Sequence, residues 1–135
     1  MPCQLNQALH AYWRIGEVGE GALSGLDGAQ GYDQLNRQIC QQEGELRVEG
    51  GCQRVFQHDG ELQLNDHAWE RALCIDTGAS ADTVVWHPGS RPLLGVSWNE
   101  ISEFVCVEAA SGGTDSLCLK PGERAHLSLQ ARVGV

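Results

Sequence analysis

The chain has 135 residues, 9 basic against 18 acidic side chains, a net charge of -9 and a pI of 4.8. That length suits one domain with one ordinary core. The acidic balance excludes a phosphate-backbone binder, because no basic stripe exists to displace counterions. The apolar runs fall short of a membrane span and the N-terminus lacks a signal-peptide pattern, so cytoplasm is the expected location, with neither nucleic acid nor membrane as partner.

Most of the chain reads as short strands separated by turn signals, the pattern of an all-β, antiparallel sandwich. Leu9, Ala11, Trp13 and Ile15 alternate with His10, Tyr12 and Arg14, which predicts a strand with one apolar and one polar face. Asp27-Gly28 marks a turn. The glycine-rich stretch from Gly16 to Gly31 reads as loop, since it lacks the strand-glycine-helix context of a nucleotide cradle. Arg54–Gln57 and Glu61–Leu64 flank His58-Asp59-Gly60, a hairpin pattern with glycine available for a positive φ. A strand from Arg71 to Asp76 is expected after a turn at Asn65-Asp66.

Thr83–Trp86 predicts another strand, stopped by His87-Pro88-Gly89. Ser97-Trp98-Asn99-Glu100 fits a capping box and predicts a short helical turn running to Glu103. That turn leads into Phe104–Ala110, where a period of two puts Phe104, Cys106 and Glu108 on one face and Val105, Val107 and Ala109 on the other. A carboxylate among apolar neighbours loses solvation, which moves its titration toward neutral pH, where it can take and return a proton. From the run alone, a strand-end glutamate paired with an arginine is the favoured reading of Glu108. After the Pro121-Gly122 turn, Ala125, Leu127, Leu129, Ala131 and Val133 alternate with polar residues and predict a final half-buried strand.

Cysteines 3, 40, 52, 74, 106 and 118 form no Cys-x-x-Cys pair, and the five histidines show no His-x-x-x-His spacing. Reduced, small, apolar thiols are expected, with no metal and no organic cofactor.

Four segments taken in order resemble the glucose-6-phosphate 1-epimerase family of hexose-6-phosphate mutarotases, within the galactose mutarotase-like superfamily. They are Ala8–Trp13, Ser24–Gly28 with Tyr32-Asp33, Thr83–Pro88, and Val105–Ala110 followed by Leu119–Glu123. The resemblance spans nearly the whole chain but only the C-terminal half of the family's fold. It implies about half of a large antiparallel β-sandwich, residues 1–135 forming one domain. It further implies a general acid at His10, a general base at Glu108, and interconversion of the α and β anomers of a hexose or hexose 6-phosphate. Proton transfer between one acid and one base suffices for ring opening and closure.

Tyr12 and Arg14 share the His10 face and are candidate substrate contacts, as are Gln53 and Arg54. The family's aspartate stands here as Gln53, an amide that can bond a hydroxyl but carries no charge. The Trp86-His87-Pro88-Gly89 segment lacks the aromatic residue that the family has at its last position. Exposed strand edges in a half-sandwich predict self-association or pairing with a complementing N-terminal half. A non-catalytic carbohydrate-binding or assembly module derived from the same fold is the alternative.

Overall fold

The computed structural model describes residues 1–48, 50–78, 80–111 and 117–134. In chain order the strands are β1 (Cys3–Leu5), β2 (Gln7–Leu9), β3 (Tyr12–Arg14), β4 (Gly21–Ser24), β5 (Gln30–Asp33), β6 (Gln38–Gln41), β7 (Cys52–Gln57), β8 (Glu61–Asp66), β9 (Arg71–Asp76), β10 (Asp82–His87), β11 (Phe104–Ser111), β12 (Leu117–Leu119) and β13 (Gln130–Gly134). One short helix, α1 (Trp98–Ile101), precedes β11, and a 3₁₀ turn covers Val18–Glu20.

Two antiparallel sheets face each other. The larger runs β2–β11–β10–β7–β5–β6, with β3 also paired to β11; the smaller runs β13–β9–β8–β4. A separate ribbon joins β1 to β12. Alternation explains the core between them. Phe56, Val85, Val105 and Val107 come from the large sheet, while Leu23, Leu62, Leu64, Leu73 and Ile75 come from the small one, all nearly inaccessible. Each such side chain contributes roughly 1.5–3 kcal/mol by leaving water.

Three expectations are corrected. Arg54–Gln57 and Glu61–Leu64 form no hairpin, since β7 lies in the large sheet and β8 in the small one. The His58-Asp59-Gly60 link carries the chain across the sandwich, with Gly60 at φ +97°. Asn65 and Asp66 belong to β8 rather than to a turn; His67–Glu70 turns the chain instead, and Asp66 pairs with Arg71. The last strand begins only at Gln130. Ala125, Leu127 and Leu129 are half-buried as the alternation predicts, but Ala131 and Val133 are exposed, because β13 is an edge strand whose residues overhang the core.

The capping box forms as read. Ser97 Oγ accepts from the Glu100 N–H at 3.2 Å, and a Glu100 carboxylate oxygen accepts from the Ser97 N–H at 2.8 Å. His87 then ties the helix to β10. Its Nδ1 accepts from the Gly89 N–H at 3.0 Å, which leaves Nε2–H to donate to the Ile101 carbonyl at 2.7 Å. Gly89 itself sits at φ +66°, and a Cβ there would lie 2.8 Å from the Gly50 carbonyl oxygen. The missing aromatic ring at this position therefore has a backbone reason: the turn takes only glycine.

Candidate active site

The outer face of the large sheet gathers the chemistry. β2 and β3 pair with β11 in one shared register, Leu9 opposite Ala109 and Tyr12 opposite Cys106, so that His10 stands opposite Glu108. The ladder is interrupted between them, where the Ala11 N–H turns back to the Leu9 carbonyl at 3.0 Å. The continuous strand expected from Leu9 to Ile15 is thus two strands meeting at a kink. Opposite the kink, the Val107 carbonyl accepts from the Trp13 indole N–H at 3.0 Å instead of from a strand partner. Trp13 and Ile15 pack into the core, as the alternation requires.

His10 Nδ1 lies 3.3 Å from a Glu108 carboxylate oxygen; the histidine side chain is 50% exposed and the glutamate only 6%. Burial pushes the Glu108 carboxyl above its ordinary value, and the opposing influence of His10 does not reverse that direction. The surroundings are aromatic. The Tyr12 ring stacks on His10 with centroids 4.8 Å apart, Trp86 meets His10 edge-on at 5.8 Å, and Phe104 lies 5.2 Å from Tyr12 and 6.2 Å from Trp86. Burial, with Cys106 and Glu108 alongside, raises the Tyr12 phenol above its usual range.

Cys106 completes the floor. It is fully buried between Phe104 and Glu108 on the same face, and burial raises its thiol well above the normal range. The donor atoms of His10, Cys106 and Glu108 all lie within 4.8 Å of one another, a grouping that could hold a metal ion. Local spacing in the sequence cannot reveal it, because His10, between β2 and β3, is 96 residues from Cys106, the nearer of the two donors on β11. Of the six free cysteines only Cys52 and Cys106 are buried; Cys3 and Cys118 are exposed.

The other sequence candidates divide. Tyr12 stacks on His10. Arg14 shares its face and borders an adjoining cleft of about 300 Å³, but pairs with Glu103 at 3.2 Å, and Glu100 lines the same cleft. Gln53 lies opposite Trp86, on the same face but two strands from β11, and donates to the Gln34 side-chain oxygen at 2.7 Å. Arg54 stands apart from these. It lies opposite Val85, whose neighbour on β11 is Val107, so register puts it on the inner face; there it pairs with Asp33 at 3.4 Å and donates to Gln42 at 3.3 Å. Trp86 and Phe104 add aromatic walls beside His10, and the two-residue alternation of β11 is the signal that puts Phe104 on the Glu108 face.

The far end of β3, the strand that follows His10, is tied to the small sheet. Asp66, fully buried, accepts from the Gly16 N–H at 3.1 Å and from Arg71 Nε at 2.9 Å, while Arg71 also donates to the Arg14 carbonyl. The Trp69 ring lies under both arginines, 4.8 Å from Arg71 and 5.9 Å from Arg14.

Comparison with known proteins is decisive at the family level. The model of the aldose 1-epimerase family matches residues 1–132. The chain belongs to the aldose 1-epimerase family. This epimerase-family chain is 27% identical over 138 residues to an Escherichia coli (strain K12) protein provisionally named glucose-6-phosphate 1-epimerase, covering 96% of the chain and 46% of that protein. Its fold is similar to the crystal structure of a provisionally named mutarotase from Salmonella typhimurium, with a TM-score of 0.89, 20% identity, and coverage of 98% and 46%. It is also similar to the crystal structure of HI1317, with a TM-score of 0.82, 21% identity, and coverage of 96% and 46%. The chain therefore spans about half the length of the relatives it matches. Among the described residues, no helix is long and apolar enough to cross a membrane.

Proposed function

We propose that this chain carries the acid–base pair of a sugar 1-epimerase, with Glu108 as base at the anomeric hydroxyl and His10 as acid at the ring oxygen. The observation that carries the reading is the 3.3 Å approach of His10 Nδ1 to the Glu108 carboxylate. The two substrate oxygens involved are bonded to the same carbon, so the groups that serve them must stand side by side. Glu108 takes the C1 hydroxyl proton as the ring C–O bond breaks, and His10 protonates the departing ring oxygen. Rotation about the C1–C2 bond presents the other carbonyl face, and the same transfers in reverse close the ring. Glu108 suits the task because burial raises its basicity, while the half-exposed His10 can exchange protons with solvent.

Tyr12, Trp86 and Phe104 offer an apolar floor for the C–H face of a hexose. Recognition of a 6-phosphate is weakly provided on this half. Arg14, the cation nearest the floor, shares its cleft with Glu100 and Glu103. A phosphate would draw its cations from the other half of a complete sandwich. Exposed Ile39 on edge strand β6 and Val133 on edge strand β13 favour such completion, by a second copy or by a complementing N-terminal half.

The test is exchange NMR of α- and β-glucose and of glucose 6-phosphate with the chain present, paired with sedimentation velocity at micromolar concentration. Accelerated anomer exchange that Glu108→Gln abolishes supports the reading; sugar binding without acceleration supports the non-catalytic module. The substitution of the family's aspartate by Gln53, already engaged with Gln34, is the observation that favours that second reading.

A further inference from the structure

We propose that His10 Nδ1, Cys106 Sγ and a Glu108 carboxylate oxygen form a three-ligand site for a thiophilic divalent cation of the Zn²⁺ class. The three donors lie within 4.8 Å of one another, and the nitrogen and oxygen are already 3.3 Å apart. Tetrahedral coordination at bond lengths of 2.0–2.3 Å wants donors roughly 3.5 Å apart, so the widest pair must close by about 1 Å. The half-exposed His10 side chain can adjust, and rotation of the Cys106 and Glu108 side chains on β11 supplies the rest of the closure. One nitrogen, one thiolate and one carboxylate select Zn²⁺, Co²⁺ or Cd²⁺ over Mg²⁺ and Ca²⁺, which prefer all-oxygen cages. Three protein ligands leave a fourth position on the exposed side of His10 for water.

Binding converts the Cys106 S–H to a metal thiolate, and the proton leaves to solvent. No redox change is involved. The cation would occupy the same nitrogen and oxygen that the epimerase reading uses for proton transfer, so metal loading is inhibitory; this consequence, unlike the site itself, rests on that reading. Aldose anomerisation and metal occupancy then exclude one another.

Co²⁺ titration of the full chain tests the site directly. Cys3 and Cys118, both exposed, are replaced by serine throughout to remove competing thiols. One equivalent of Co²⁺ is expected to produce a thiolate-to-cobalt charge-transfer band together with the intense visible bands of a tetrahedral ion, and Zn²⁺ should bleach both. Cys106→Ser should abolish the charge-transfer band. His10→Ala, at a half-exposed position that spares the core, should weaken binding by more than about 100-fold, since losing even an outer-shell partner costs 10–100-fold. No tetrahedral Co²⁺ spectrum at millimolar cobalt, or a charge-transfer band that survives in Cys106→Ser, overturns the site. A Co²⁺ spectrum that obeys both variants in a chain without anomerase activity upholds the site and removes only its inhibitory role.

Discussion

Asp66→Ala probes how the small sheet holds β3, the strand that follows His10, in place. Its carboxylate is fully buried and accepts from Arg71 Nε at 2.9 Å, from the Gly16 N–H at 3.1 Å and from the Trp69 N–H at 3.4 Å. Removing one partner of a buried ion pair costs about 3–5 kcal/mol, because the surviving charge is left uncompensated. Arg71 retains 28% exposure and can recover some hydration, so the lower end, about 3 kcal/mol, applies. With a urea dependence of about 2 kcal/mol per molar for a small domain, the unfolding midpoint should fall by about 1.5 M. Because Arg71 also holds the Arg14 carbonyl, the ring resonances of His10 and Tyr12 should shift in the folded variant. A midpoint change below about 0.5 M on the same scale, with His10 and Tyr12 undisturbed, refutes the positioning role.

Glu108→Gln should stabilise the protein in a pH-dependent way. Burial raises the Glu108 carboxyl in the native state, so the folded chain holds that proton more tightly than the unfolded chain. The group's contribution is fully present below the unfolded value, about 4.3, and is lost as pH rises through the native one. Thermal melts of the two proteins should therefore coincide near pH 4 and separate toward pH 8, glutamine being the more stable; a constant difference contradicts this. Arg54→Met should leave sugar binding and anomer exchange unaltered while lowering stability by about 1 kcal/mol, because the buried Asp33 loses its cation but keeps its hydrogen bonds from Leu35 and Asn36, checked by urea unfolding. Gly31→Ala should disrupt the β5–β7 pairing, since its Cβ would lie 2.6 Å from the Val55 carbonyl oxygen and 2.9 Å from the Phe56 ring; loss of amide-exchange protection in both strands is the readout.

The two faces of Phe104–Ala110 were legible because a period of two survives whatever the strand pairs with, and the capping box at Ser97 was legible because its partners are three residues apart. Pairing was not. Arg54–Gln57 and Glu61–Leu64 alternate correctly, yet alternation records which way side chains point and not whether two strands share a sheet; a glycine-bearing link serves a hairpin or a crossing between sheets alike. Gln53 and Arg54 show the same limit: they are neighbours in the family-like segment Cys52–Phe56, yet one residue reverses the face and the segment alone does not say which of the two faces outward. The His10–Glu108 contact came from the family resemblance, since nothing local in either segment names the other. Cys106 and Glu108 stand two residues apart on one face of β11, but His10 is 96 residues from Cys106 in the chain, so no local spacing marks the three as a ligand set.

Anomer exchange followed by NMR in the chain and in Glu108→Gln tests the acid–base pair most directly. The rate above buffer should fall by about 10²–10⁴ in the variant, the usual contribution of a positioned general base, with sugar affinity retained. Exchange in Glu108→Gln equal to that of the unaltered chain would contradict the assignment.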